Sequence, residues 1–333
     1  MNKDKIIDFI KHINYYNSNL LINDPKPVKN QSEPKLIYYY KNDEKTQKII
    51  YSIVIPIHNQ EKIIKRNLES IFTNTVDYYE LVLILDNCKD NTENIILEKL
   101  NKKIPNNLLK IVILKQETSI FETSCDNLGF TLSEGIYIIE IQADMEMITY
   151  GYNKLLTRPV LIYDDIFIVS GRGSMKIKKN FKGMHLDGFG KLSKKIDKPL
   201  DIDFSDMNKV YIYETICRGP ILIVNEKLKK LKYLDEQNFF LGNDDIDLCC
   251  RAFFNFNWKC CYYPLEFYAP LSNSTTKKKK NWTKNMDDEI CFFNERKNRS
   301  NGGFLNTIME EVINKNKSFL EFEIRELPYD KFY

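Results

Sequence analysis

Two groups of carboxylates carry most of the chemistry this sequence could do. The first is Asp144 and Glu146, at the end of IYIIEIQADMEM (136–147). A run of β-branched and aromatic residues climbs to the acids. The strand this predicts fixes the backbone and delivers both side chains at its carboxyl end, where ligands of open α/β sheets bind. Hard oxygen donors in that spacing suit magnesium or manganese, which take one or two carboxylates and leave the rest of their shell to phosphate oxygens. The second group is Asp244, Asp245 and Asp247 in FFLGNDDIDLCCRAFF. Ile246, Cys249, Cys250 and Phe253 share one helical face, so these acids open a helix. Capping accounts for Asp247, which also sits i, i+4 from Arg251, and covers Asp244. It struggles with three carboxylates so close, because like charges raise one another's pKa. One of them acting as general base on a hydroxyl is the sharper reading. A helix dipole holds such a base's pKa low, so neighbouring aspartates or partial burial must offset it.

Asp86 closes the apolar run ELVLIL and opens DNCKDNT. Directly after a strand, its carboxylate can accept hydrogen bonds from a nucleobase or ribose. Asp90 reads instead as a turn or helix cap. Arg218 precedes a strand in ETICRGPILIV and can reach toward the same cleft. Lys176, Lys178, Lys179 and Lys182, and the run 277–280, read as solvated basic loops, with phosphate contact as the alternative.

The elements that must position these residues alternate from residue 49 onward. IIYSIVIPI (49–57) is a near-continuous apolar run, as a strand covered on both faces requires. Pro56 lies near its end, where no further ladder donor is needed. His58-Asn59 then turns into a helix with Ile64, Leu68, Ile71 and Phe72 on one face. Residues 80–85 and 111–114 are further strands, 91–102 a helix, and a helix through 126–134 leads to the strand before Asp144. This order predicts a parallel α/β sheet with right-handed crossovers. His58, Asn59, Asp86, Asp144 and Glu146 all fall at its carboxyl edge. IFIVSGRGS (166–174) is a strand with a glycine-bearing turn, and 257–270 ends the core. Residues 1–22 read as an amphipathic helix, 23–48 as a proline-bearing linker, and 305–313 as a final helix.

With 333 residues, 43% of them hydrophobic, the chain can bury a large core, which argues against disorder. A net charge of +3 is too slight to suggest nucleic acid as a partner. No apolar run reaches the ~18 residues of a membrane span, and the first residues lack a secretory signal. The eight cysteines form no CxxC and read as reduced core thiols; three histidines without ligand spacing speak against zinc.

SIVIPIHNQEKIIKRNLESI, LILDNCKDNT, CDNLGFTLSEGIYIIEIQADME and GPILIVNEKLKKLKYLDEQNFFLGNDDIDLCCRA occur in order over about residues 50–270. Together they resemble glycosyltransferase family 2. The resemblance implies a GT-A fold, a Rossmann-like open mixed sheet flanked by helices. It implies one catalytic domain over 49–271, with an N-terminal extension (1–48) and a basic loop and C-terminal helix (272–333). It implies inverting sugar transfer from a nucleotide-diphosphate sugar, a UDP-sugar favoured, to a glycan, protein or lipid-linked acceptor. It assigns Pro56, His58, Asn59, Asp86, Asp126, Asn127, Asp144 and Arg218 to the donor, and Asp144 with Glu146 to a Mn2+ or Mg2+ ion. Asp245 matches the catalytic base and Asp244 the acid beside it. The chain departs from the pattern at Leu85, at Gln142 where the first metal-motif aspartate falls, and near Tyr268 where a histidine is usual. The alternatives are a non-catalytic nucleotide- or sugar-binding module, which Gln142 supports, and a sugar-phosphate nucleotidylyltransferase. The missing glycine loop after the first strand opposes the latter. A soluble cytoplasmic protein is expected, peripheral membrane association and a homodimer remaining open.

Overall fold

A computed structural model describes residues 2–11, 33–175, 184–185, 203–236, 239, 244–269 and 320–328. The segments containing the four lysines of 176–182, the run 277–280 and the helix expected over 305–313 lie outside them.

The first helix, α1 (Lys3–Lys11), precedes an edge strand, β1 (Lys35–Lys41). The α/β core follows as β2 (Tyr51–Ile57), α2 (Ile64–Asn74), β3 (Tyr79–Asp86), α3 (Thr92–Lys102), β4 (Leu108–Gln116), α4 (Phe121–Leu132) and β5 (Tyr137–Glu140). Next come β6 (Glu146–Met147), α5 (Tyr152–Ile162), β7 (Ile166–Ser170), β8 (Gly173–Met175) and β9 (Met184–His185). The rest comprises β10 (Lys209–Tyr213), β11 (Thr215–Ile216), β12 (Ile221–Val224), α6 (Asn225–Lys230), α7 (Asp244–Phe256), β13 (Lys259–Tyr262), β14 (Phe267–Tyr268) and β15 (Glu323–Glu326).

Among the described residues, ten strands form one mixed sheet in the order β1-β4-β3-β2-β5-β12-β7-β13-β10-β15. Strands β2, β3, β4 and β5 are mutually parallel, as their apolar runs predict. All eight residues of β3 are buried. The chain moves outward from β2 to β4 and returns to β5 on β2's other side. This reversal opens a crevice between the carboxyl ends of β2 and β5, the place where such sheets bind ligands. The antiparallel β12 sits between β5 and β7. It therefore presents its amino end, and Arg218 just before it, at the edge where β5 and β7 present their carboxyl ends.

Two apolar layers clasp the sheet. One gathers Ile53, Ile55, Leu68, Ile71, Leu81 and Leu83 under α2 and α3. The other gathers Val54, Val82, Leu128, Phe130, Ile138 and Leu248 under α4 and α7. A fully buried aliphatic side chain stabilises by about 1.5–3 kcal/mol, so these layers, more than helix propensity, hold the helices in place.

The extension and the tail are not mere appendages. KLIYYYK, read as linker, is β1, hydrogen-bonded antiparallel to β4. Its flanking lysines mask an edge strand that is half-buried on both faces, so no clean alternation shows. Near the other end, β15 pairs antiparallel with β10. The sheet thus draws strands from both flanks of 49–271. The seven cysteines among the described residues are free thiols, six of them buried.

Candidate active site

Arg218 is the hub of the crevice. Its guanidinium pairs with Asp126 of α4 and Asp244 at the start of α7, and Nη1 lies 3.3 Å from Glu122 Oε1. Gly219 follows with φ +51, and a Cβ there would lie 3.0 Å from Gln142 Cγ and Met145 Cε. Only glycine lets the loop press so closely on the turn after β5. The two acidic segments of the sequence therefore meet across one arginine.

Around it the acids outnumber the cation. Asp126, Glu140 and Asp244 are fully buried. Asp126 Oδ1, Asp244 Oδ1 and both oxygens of Glu140 accept no hydrogen bond. Burial, only partly offset by Arg218, pushes the Asp126 carboxyl up to about 8. Glu140 is driven well above the usual carboxylate range by burial and by Asp126. Asp245, 9% exposed, is pushed up to about 7 by burial and the charge of Asp244, while Arg218 and the Ile246 N–H pull it down. Its Oδ1 accepts that N–H at 2.8 Å. This is the offset to the helix dipole that a base needs, and a pKa near neutrality suits proton transfer at pH 7. Asp247 pairs with Arg251 at 2.8 Å as its spacing implies.

The turn bearing Asp144 is tied down by α2. Asn67 Nδ2 donates to the carbonyls of Met145 (2.7 Å) and Gln142 (3.2 Å), and Asn74 Nδ2 to that of Met147 (2.7 Å). Ser70 Oγ accepts the Met147 N–H at 3.0 Å. Asn67, Ser70 and Asn74 recur at i, i+3 and i+7, a polar stripe that apolar periodicity does not reveal. Asp144 is half-buried. Glu146 lies 3.5 Å from Arg66 and opposite Tyr268 in the β6–β14 pair. Gln142 donates to Glu122 at 2.8 Å and accepts from Arg172 at 3.2 Å. No cluster of three or more potential metal ligands exists among the described residues. Asp144 and Glu146 fit a hard divalent ion as a one- or two-carboxylate donor set that relies on ligand oxygens.

On the nucleotide side, Pro56 lies in β2 opposite Ile84. His58 Nδ1 donates to the Asp86 carbonyl at 2.6 Å, and Nε2 accepts from Asn59 Nδ2 at 3.0 Å; the network assigns this tautomer. Asn59 has φ 50, and its Oδ1 accepts the Lys89 N–H at 2.8 Å. Asp86 sits at the crevice edge, but its carboxylate is engaged on protein. It accepts from Ile120 N (2.7 Å), Ser119 Oγ (2.7 Å) and Phe121 N (3.0 Å), fixing a turn in which Phe121 has φ 65.

Asn127 requires a correction. It is buried, and its amide bonds the Leu234 N–H, the Leu234 carbonyl and Glu236. It braces the segment before α7 and turns away from the crevice. Asp126 and Asp244 likewise act on Arg218, with no exposed surface for a ligand. The sequence reading passed over Glu122, Glu140 and Arg172. An acid inside the apolar strand YIIE and an arginine between two glycines after IFIVS were the available signals.

Residues 52–214 match the family Glycosyl transferase family 2. This stretch belongs to glycosyltransferase family 2. An uncharacterised glycosyltransferase of Methanocaldococcus jannaschii is 24% identical over 216 residues, 62% of this chain and 66% of its own length. The minor teichoic acid biosynthesis protein GgaB of Bacillus subtilis is 31% identical over 104 residues, 31% of this chain and 11% of its own. Among solved structures, GalNAc-T7 with UDP, GalNAc and Mn2+ matches with a TM-score of 0.51 at 16% identity, over 67% of this chain and 44% of that one. The fold is that of the GT-A glycosyltransferases, and the chain is a glycosyltransferase by family. No helix among the described residues is long and apolar enough to cross a membrane.

Proposed function

We propose that this glycosyltransferase moves a hexose from a nucleotide-diphosphate sugar to an acceptor hydroxyl with inversion, and that Asp245 is its base. The observation that carries the reading is the setting of Asp245. It is the acid of its cluster that keeps some exposure at the mouth of α7, with a pKa near 7. As the acceptor oxygen bonds the anomeric carbon, its proton passes to the Asp245 carboxylate. The bond from that carbon to the diphosphate oxygen breaks, and its electron pair leaves with the diphosphate. Asp126, Asp244 and Glu140 are too deeply buried to reach an anomeric carbon. That favours a single displacement, hence inversion, over a covalent intermediate.

Asp144, assisted by Glu146, would hold a Mn2+ or Mg2+ ion, whose chemistry there is to neutralise charge on the departing diphosphate. His58 and Asn59 border the nucleoside side, and Asp86 serves it by fixing the 119–121 turn. UDP is the nucleotide to try first, since GalNAc-T7 was solved with it. The acceptor class is a glycan, a protein or a lipid-linked sugar. Asp245→Asn is expected to lower transfer by about 10²–10⁴-fold while UDP affinity by calorimetry stays unchanged. Wild-type turnover in that variant would refute the assignment.

A further inference from the structure

Arg172 has no role in the reading above, yet the fold places it with care. It lies two residues beyond the end of β7, at the crevice edge. Its N–H donates to Ser170 Oγ at 3.0 Å, and that hydroxyl donates to the Cys217 carbonyl at 2.7 Å. Gly173 follows with φ +124, a conformation open essentially to glycine alone. The guanidinium is 7% exposed, lies 5.9 Å from the centre of the Phe267 ring, and donates to Gln142 Oε1. Phe267 is in β14, paired with the strand that carries Glu146. A preorganised arginine thus stands on the same turn as Asp144, hydrogen-bonded to a neutral amide.

We propose that Arg172, oriented by Gln142, is a binding residue for the donor's diphosphate and supplies positive charge that would otherwise have to come from the cation. The inference rests on the nucleotide-sugar reading of the crevice. An arginine offers five N–H donors in one plane. A bond to Gln142 is therefore compatible with a forked contact to two phosphate oxygens, the geometry in which arginine binds phosphate best. Charge arithmetic points the same way. Asp144 contributes one negative charge on this turn, Gln142 none and Arg172 one positive. A diphosphate approaching the turn meets no net repulsion from these three, and its binding is only partly cation-dependent.

The test is calorimetry of the full chain with UDP and with inorganic pyrophosphate, each with Mn2+ and with EDTA. Wild type is expected to keep UDP affinity in EDTA within about tenfold of its Mn2+ value. Arg172→Ala should weaken binding in EDTA by at least about tenfold, and less with Mn2+. Arg172→Lys should recover part, keeping charge without the fork. Gln142→Asp, which leaves the arginine and its packing in place, should weaken pyrophosphate in EDTA and strengthen it with Mn2+. Folding of each variant is checked by circular dichroism. If Arg172→Ala is folded and binds in EDTA as wild type does, or if Gln142→Asp changes neither condition, Arg172 does not contact the diphosphate. If wild type binds neither ligand under either condition, the nucleotide-sugar reading itself falls, and this inference with it.

Discussion

Two buried charge networks sit at opposite edges of the same sheet, and only one is complete. At the amino edge, Lys110 Nζ donates to Glu80 (2.6 Å) and Glu134 (2.9 Å). Glu80 also accepts from Ser52 Oγ (2.5 Å) and the Glu134 N–H (2.5 Å), and Ser52 Oγ accepts the Gly135 N–H at 2.8 Å. Both Glu80 oxygens have partners. At the carboxyl edge, Arg218 faces Glu122, Asp126 and Asp244 with Glu140 and Asp245 close by, and four carboxyl oxygens on Asp126, Glu140 and Asp244 accept nothing. A satisfied network rigidifies, whereas an unsatisfied one is kept against its own desolvation cost. The difference marks the first as structural and the second as the working site.

The largest effect that would break this contrast lies in the complete network. Lys110→Met leaves Glu80 buried without its cation, and is expected to cost about 3–5 kcal/mol of stability. The denaturant midpoint measures it, and an unchanged midpoint would remove the basis of the comparison. Arg218→Leu is expected to cost less, about 1–3 kcal/mol at pH 7, because the carboxyls it leaves can hold protons instead. Its cost should grow with pH, and its loss of sugar transfer should exceed anything stability explains. Equal costs in the two variants would show that both networks are structural.

The smallest effect sharpens the contrast through pH. A carboxyl whose folded pKa lies above its unfolded value near ~4 keeps a proton that the unfolded chain releases. Its contribution to stability is full below that value and is lost as the pH climbs, up to about 7 for Asp245 and about 8 for Asp126. Glu140→Gln should therefore change stability by under about 1 kcal/mol at pH 5, where the acid is neutral. Near pH 8 the variant should gain on wild type, since an amide never ionises beside Asp126. Thermal midpoints across that range check this; parallel curves would mean that Glu140 is not part of the cluster.

Much of the carboxyl edge was legible in the residues. The apolar run of β2 announced a strand buried on both faces, and Asp245 after GN announced a helix mouth, because these signals are local. Asn127 misled for the same reason. Its neighbours match a donor-side motif, while its partners, Leu234 and Glu236, lie more than a hundred residues away. Arg172 and Glu140 were passed over because a lone charge beside a strand carries no periodicity. The edge strand β1 escaped because its alternation is weak and its partner, β4, is distant in sequence.

The sequence by itself determined the alternating α/β order, the crevice edge at the strand ends and the types of acid available there. Those follow from hydrophobic period and from turn chemistry, which act over a few residues. The tertiary structure alone decided which acids share Arg218, which oxygens go without partners and that Asp245 titrates near neutrality. Burial and charge pairing depend on segments far apart in the chain, and no local pattern encodes them.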